Sequence, residues 1–176
     1  MKRWLLLACL LCGTANAADI VLTERDVTLA DYGTVTVGDK VDKMERVLRQ
    51  PLPSSPDRTV CLIATPKGEL TTTGISFLIE DKHLTRINVD YYDRSPEPLT
   101  IKTPAGIGLG TSEEDVMKAY AGHVRVEPDS GDPSWHYIYV DAPDGQTGLR
   151  FDTDGKKVKS MHAGGYPALS YKQGCY

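Results

Sequence analysis

The stretch Gly106 to Gly122, GIGLGTSEEDVMKAYAG, carries a strand, a turn, a capped helix and a stop in one unbroken run. Ile107 and Leu109 alternate along a short extended piece, and Gly110 supplies the turn that follows. Thr111 with Glu114 reads as a capping box, in which a hydroxyl and a carboxylate satisfy free N–H groups of the first helical turn. Val116, Met117, Ala119 and Tyr120 are the apolar positions of the helix, and Gly122 is its expected C-terminal stop.

Working outward, Tyr32 to Leu48, YGTVTVGDKVDKMERVL, echoes this stretch. Val35 and Val37 take the places of Ile107 and Leu109, and Gly38 that of Gly110. Asp39 is the expected N-cap, and Asp42 lies in the first turn, where a negative charge suits the helix dipole. Val41, Met44, Val47 and Leu48 share one helical face, and Pro51 ends the helix because it has no N–H to donate.

Each helix is followed by three strand-like runs. In the first half these are Val60 to Ala64, Gly74 to Ile79 and His83 to Tyr91, an antiparallel meander with one apolar side. In the second half they are Trp135 to Val140, Gly148 to Thr153 and Val158 to Ala163, with Gly148 and Phe151 echoing Gly74 and Phe77. Pro51, Pro53 and Pro56 make a stiff connection, and Asp93-Arg94-Ser95-Pro96-Glu97-Pro98 is the strongest boundary in the chain. Residues 18–92 therefore read as a first repeat, 93–98 as a linker and 99–176 as a second repeat. Ala18 to Asp31 reads as a lead-in strand or arm. The fold class expected is α+β: two tandem strand-helix-three-strand repeats forming an antiparallel sheet with helices on one face and the other face open.

The N-terminus sets the compartment. Lys2 and Arg3 precede an apolar run from Trp4 to Cys12 and a small-residue ending Ala15-Asn16-Ala17, the anatomy of a secretory signal peptide cut after Ala17. A lipid anchor at Cys9 is the weaker reading, since Leu7 occupies a position that is usually small or β-branched. The apolar run falls short of the roughly 20 residues a membrane helix needs. The expectation is a periplasmic or secreted protein without a transmembrane segment. Cleavage removes Cys9 and Cys12 and leaves Cys61 and Cys175, for which an oxidising compartment invites one disulfide tying the C-terminal tail to the first repeat.

The whole chain has a formal charge of −4, and loss of Lys2 and Arg3 makes the mature form more acidic. That argues against nucleic acid and anionic membrane surfaces as partners. Lys156-Lys157-Val158-Lys159 is the one basic cluster, read as a solvated hairpin tip.

The turns Thr36-Val37-Gly38-Asp39-Lys40-Val41 and Gly108-Leu109-Gly110-Thr111-Ser112-Glu113-Glu114-Asp115-Val116 resemble the strand-Gly-capped-helix signature of the β-lactamase inhibitor protein family. That tandem-repeat fold is shared by the small lipoprotein of the outer-membrane β-barrel assembly machinery. The resemblance covers nearly the whole mature chain in element order and implies an exposed sheet face that grips another protein. The family's Gly-Met-Thr at the helix start is Gly38-Asp39-Lys40 and Gly110-Thr111-Ser112 here, and no inhibitor loop residue carries over.

Candidate binding residues come from strand parity. Trp135, Tyr137 and Tyr139 form one stripe, and His136, Ile138 and Val140 the opposite one. If the aliphatic stripe faces the helices, the three rings line the open face as an interface or sugar-stacking platform; with reversed parity they are core. The same logic puts Leu149, Phe151 and Met161 inside and turns Arg150, Asp152, Ser160 and His162 outward as a polar rim or a merely solvated face. Asp152-Thr153-Asp154-Gly155 starts like a calcium loop but continues with Lys156 and Val158 and has Ala163 where the closing Glu belongs, so a hairpin turn is the reading. His83, His123, His136 and His162 lack metal-ligand spacing, no catalytic motif is present, and no metal or cofactor is expected. The function expected is an exported non-enzymatic protein-binding module, an inhibitor of a secreted or periplasmic enzyme or toxin. The alternatives are a soluble accessory of envelope assembly and a carbohydrate-binding module.

Overall fold

A computed structural model describes residues 20–29, 31–53, 61–90, 101–172 and 174–175. The signal-peptide reading, Cys9 and Cys12, the 93–98 linker, Pro56 and the expected strand ends Val60 and Tyr91 lie outside the described residues.

In chain order the strands are β1 Val21–Leu22, β2 Asp26–Leu29, β3 Gly33–Thr36, β4 Cys61–Ala64, β5 Ile75–Glu80, β6 His83–Asp90, β7 Val124–Pro128, β8 His136–Asp141, β9 Thr147–Thr153 and β10 Val158–Gly165. Helix α1, Val41–Leu48, lies between β3 and β4, and α2, Glu113–Ala119, between β6 and β7. The protein is α+β with two antiparallel sheets, a small one ordered β1-β2-β3 and a large one ordered β4-β5-β6-β10-β9-β8-β7.

The lead-in segment is thus a hairpin and not one strand or arm. The cause is local: Thr23 Oγ1 accepts from Asp26 N at 3.2 Å and Thr23 N donates to Asp26 O at 2.9 Å, reversing the chain between β1 and β2. Strand β7 was not expected either, although Val124, Arg125, Val126 and Glu127 alternate at period two. Conversely, Ile107 to Leu109 forms no regular strand: Gly108 bridges to Lys102, and Ile107 O accepts from Thr103 N at 2.8 Å.

Both helices start one residue later than the pattern suggests. Asp39 Oδ2 accepts from Thr36 N at 3.0 Å, and Thr111 Oγ1 accepts from Gly108 N at 3.0 Å, so each expected cap closes the turn before its helix. The N-cap of α2 is Ser112, whose Oγ accepts from Asp115 N at 3.1 Å; Lys40 holds that place on α1 with no side-chain cap.

The two turns dock on the large sheet with the same three backbone bonds. Gly38 N donates to Leu84 O, Leu84 N to Asp39 O and Val41 N to Lys82 O; Gly110 N donates to Val158 O, Val158 N to Thr111 O and Glu113 N to Lys156 O, all within 2.7–3.0 Å. Both Gly38 and Gly110 take positive φ, 93° and 79°, which a side chain would strain.

These turns press the apolar faces of the helices onto one side of the large sheet. Met44 and Leu48 from α1 and Val116 from α2 join Phe77, Ile87, Ile138, Leu149, Phe151 and Met161 in one core, which Leu22, Val27, Leu29 and Val35 of the small sheet extend. Each such side chain contributes about 1.5–3 kcal/mol on leaving water.

Candidate functional site

Alternation along the strands sends a second set of residues to the other side of the large sheet. Arg86 and Asn88 come from β6, Arg150 and Asp152 from β9, His162 from β10, and Tyr137 and Tyr139 from β8. Register brings them together: His162 lies opposite both Asn88 and Arg150, and Tyr137 opposite Asp152.

This face is not open. After β10 the chain turns at Tyr166-Pro167, runs through a 3-10 turn at Ala168–Ser170 and lays its tail back over the sheet. Ala168 and Leu169 are buried there, together with Leu78 and Tyr139. Gly148 makes room for the tail: a Cβ at that position would stand 2.8 Å from Val140 O and 3.2 Å from Leu169 Cδ2. The tail carries Cys175, disulfide-bonded to Cys61 of β4 across 114 residues, with a Cα–Cα distance of 5.7 Å that suits the bond.

Beneath the tail the polar groups form a connected chain. Asn88 Nδ2 donates to Ser76 Oγ at 3.1 Å, and Asn88 Oδ1 accepts from Arg86 Nε at 2.7 Å while lying 2.9 Å from His162 Nδ1. His162 Nε2 lies 3.3 Å from Asp152 Oδ2, and Asp152 receives a two-pronged contact from Arg150 at 2.7 and 3.1 Å. The arginines then clasp the tail: Arg86 Nη1 donates to Ala168 O and Tyr171 O, and Arg150 Nη1 to Leu169 O and Tyr171 O. Such satisfaction is required, because an unpaired charge in this position would cost several kcal/mol.

Burial shapes the ionisation. It lowers the Arg86 pKa to about 10, helped by the neighbouring positive charge of Arg150. It pushes His162 below the ordinary histidine range, and the attraction of Asp152 only partly offsets this. For Asp152 burial acts upward, but His162 and Arg150 together outweigh it and hold the carboxyl below its usual range.

Of the residues singled out from the sequence, Tyr137, Tyr139, Arg150, Asp152 and His162 are gathered on this one face. Ile138 and Val140 lie in the helix-covered core, so the two tyrosines belong to the opposite side. Tyr139 is 1% exposed beneath the Arg125 guanidinium at 4.1 Å. Tyr137 is half-buried with Lys172 Nζ 4.6 Å from its ring centre; its hydroxyl donates to Asp129, and burial with that bond pushes its pKa up to about 12. Arg150, at 1% exposure, and His162, at 6%, are not a rim in contact with solvent. The missing factor was the tail, which no strand pattern locates.

Trp135 stands apart. It precedes β8 in a turn where Asp129 N donates to its carbonyl at 2.8 Å, and it is 38% exposed. Val126, on the edge strand β7, is 42% exposed.

Asp152 is committed to Arg150 and His162, while Asp154 Oδ1 accepts from Lys156 N and Lys157 N, closing the β9–β10 hairpin. Arg86 and Asn88 are site residues that sequence alone did not single out, although they alternate with Ile87 and Val89 on a strand that otherwise reads as core. His136 has a partner of its own, Glu113 at the start of α2, at 2.8 Å. Among the described residues no helix is long and apolar enough to cross a membrane. Compared with protein-family models, with curated proteins and with solved structures, the chain matches none.

Proposed function

We propose that this is an exported, non-enzymatic protein-binding module of two tandem repeats, similar in fold to the β-lactamase inhibitor protein family, that inhibits a secreted or periplasmic enzyme or toxin. The repeat reading is supported by the strand order, in which the last strands of the two halves, β6 and β10, pair at the centre and β5 and β9 flank them. It is supported too by the three docking bonds that recur at Gly38 and Gly110. Export is supported by the leader pattern of Lys2 to Ala17 and by the Cys61–Cys175 disulfide, which fits an oxidising compartment.

The observation that carries the binding reading is the exposure of Trp135 and Val126 on the terminal β7–β8 hairpin. A large amphipathic ring held out by a rigid hairpin loses little entropy on docking, and an edge strand offers unpaired backbone groups to a partner. The contact surface therefore lies at this end of the sheet, and the tail-covered face supports it from within.

The test is capture by the immobilised mature protein from secreted and periplasmic fractions, followed by assay of the captured enzyme or toxin. Retention and inhibition of one soluble protein, lost in Trp135→Ala at unchanged thermal stability, is the expected result. A stable outer-membrane complex would favour the envelope-assembly alternative, and specific hits on a glycan array the carbohydrate one; either overturns the inhibitor reading.

A further inference from the structure

Arg86 and Arg150 stand on β6 and β9 with β10 between them, and they aim at the same point. The Nη1 of each lies 2.7 Å from the carbonyl oxygen of Tyr171, so two buried guanidinium groups converge on one neutral atom. Their charges are balanced unequally. Arg150 has the Asp152 carboxylate as a direct partner, whereas Arg86 is held by the Asn88 amide and by peptide carbonyls, and makes no ion pair with any described residue.

Guanidinium groups bind carboxylates and phosphates through charge-assisted, often two-pronged bonds about twice as strong as those to neutral acceptors. A carbonyl at the meeting point of two arginines is a weaker ligand than the site could take. It prevails here because it is attached at both ends, by the short chain from β10 and by the disulfide, which together hold the tail at a high effective concentration over the sheet.

We propose that the tail carrying Ala168 to Lys172 is a disulfide-latched lid over a two-arginine site for an oxyanion, a phosphate or a carboxylate, and that reduction of Cys61–Cys175 opens it. A dithiol reductant delivers two electrons and two protons, the S–S bond breaks, Cys61 and Cys175 become thiols, and the reductant leaves as a disulfide. The tail is then held by the burial of Ala168 and Leu169, by Lys172 over the Tyr137 ring, by the Tyr171 hydroxyl at Glu80, and by the arginine contacts, for which an anion competes directly. This goes beyond the binding surface at Trp135, which lies outside the lid.

The full chain is titrated by calorimetry with inorganic phosphate and, separately, with succinate, before and after reduction by dithiothreitol, while hydrogen exchange follows the amides of Leu169, Tyr171 and the central strands. The expected result is no saturable binding in the oxidised form and saturable binding of at least one anion after reduction. Exchange should rise in the tail while the strands stay protected. Arg86→Met should weaken binding to the reduced form about tenfold or more, and Arg86→Lys, which keeps the charge without the fork, should fall between. The choice between phosphate and succinate tells which oxyanion the site takes. Absence of binding after reduction, equal binding by the Arg86→Lys form and the parent, or loss of strand protection together with the tail would overturn the proposal, the last because the disulfide would then be a staple of the whole fold.

Discussion

The two faces of the large sheet are built from the same strands but closed in different ways. Toward α1 and α2 the strands present Phe77, Ile87, Ile138, Phe151 and Met161, and the covering elements are regular helices with complementary apolar faces. On the other side the same strands present Arg86, Asn88, Arg150, Asp152 and His162, and the cover is an irregular tail held by side chain-to-carbonyl bonds and one disulfide. Non-directional burial tolerates a cover of many shapes, provided it is apolar. A polar face instead fixes its cover group by group, because every buried donor needs an acceptor in place.

The difference can be broken from either side. The largest expected effect is on the helix face. Phe151→Ala should lower unfolding free energy by about 3–5 kcal/mol in denaturant titration, since its ring packs with Tyr120 at 5.7 Å and leaves a cavity the helices cannot fill. On the tail face, Asp152→Ala should cost about 3 kcal/mol by stranding Arg150, while Arg150→Met combined with Asp152→Leu should restore much of that loss. A double variant no more stable than the single one would mean that the polar face is sustained by something other than charge satisfaction.

A smaller effect separates the faces by pH. His162 is surrounded by Asp152, Arg86, Arg150 and Asp90, and its pKa in the folded protein is lowered mainly by burial. A group that binds its proton less readily when folded contributes stability that is complete above its unfolded pKa, about 6.5, and is lost as pH falls below it, at up to about 1.4 kcal/mol per pH unit. Stability measured from pH 7.5 to 5 should therefore decline, and His162→Gln should flatten the decline. Asp152, whose pKa is lowered, adds stability that is present above its unfolded pKa near 3.9 and lost only as pH falls through its folded value, so it does not contribute to this range. The smallest expected change is Trp135→Ala, within about 0.5 kcal/mol in thermal unfolding, because its exposed ring belongs to neither buried face.

The helix-covered face was largely legible from sequence. Met44 and Leu48 at helical spacing, and Leu149, Phe151 and Met161 at strand spacing, each mark their own side without reference to distant residues. The cap positions were off by one because Asp39 and Thr111 can serve either the helix or the preceding turn, and the turn took them. The hairpin of β1 and β2 hung on one threonine–aspartate contact too local for any periodicity to register.

The polar face was legible only in part. Alternation alone placed Arg150, Asp152 and His162 on the side away from the helices, and the expected pairing of Cys61 with Cys175 tied the tail to the first half. Sequence by itself thus determined which residues share a face and that the C-terminus returns to β4. Whether that face would be wet or sealed was decided by tertiary structure, because Arg86 and Arg150 lie 64 residues apart in sequence (150 − 86) and meet the same carbonyl only when β6, β10 and β9 pair in register. Periodicity is a local property of the chain, whereas the satisfaction of a buried charge depends on whatever the fold brings across to it.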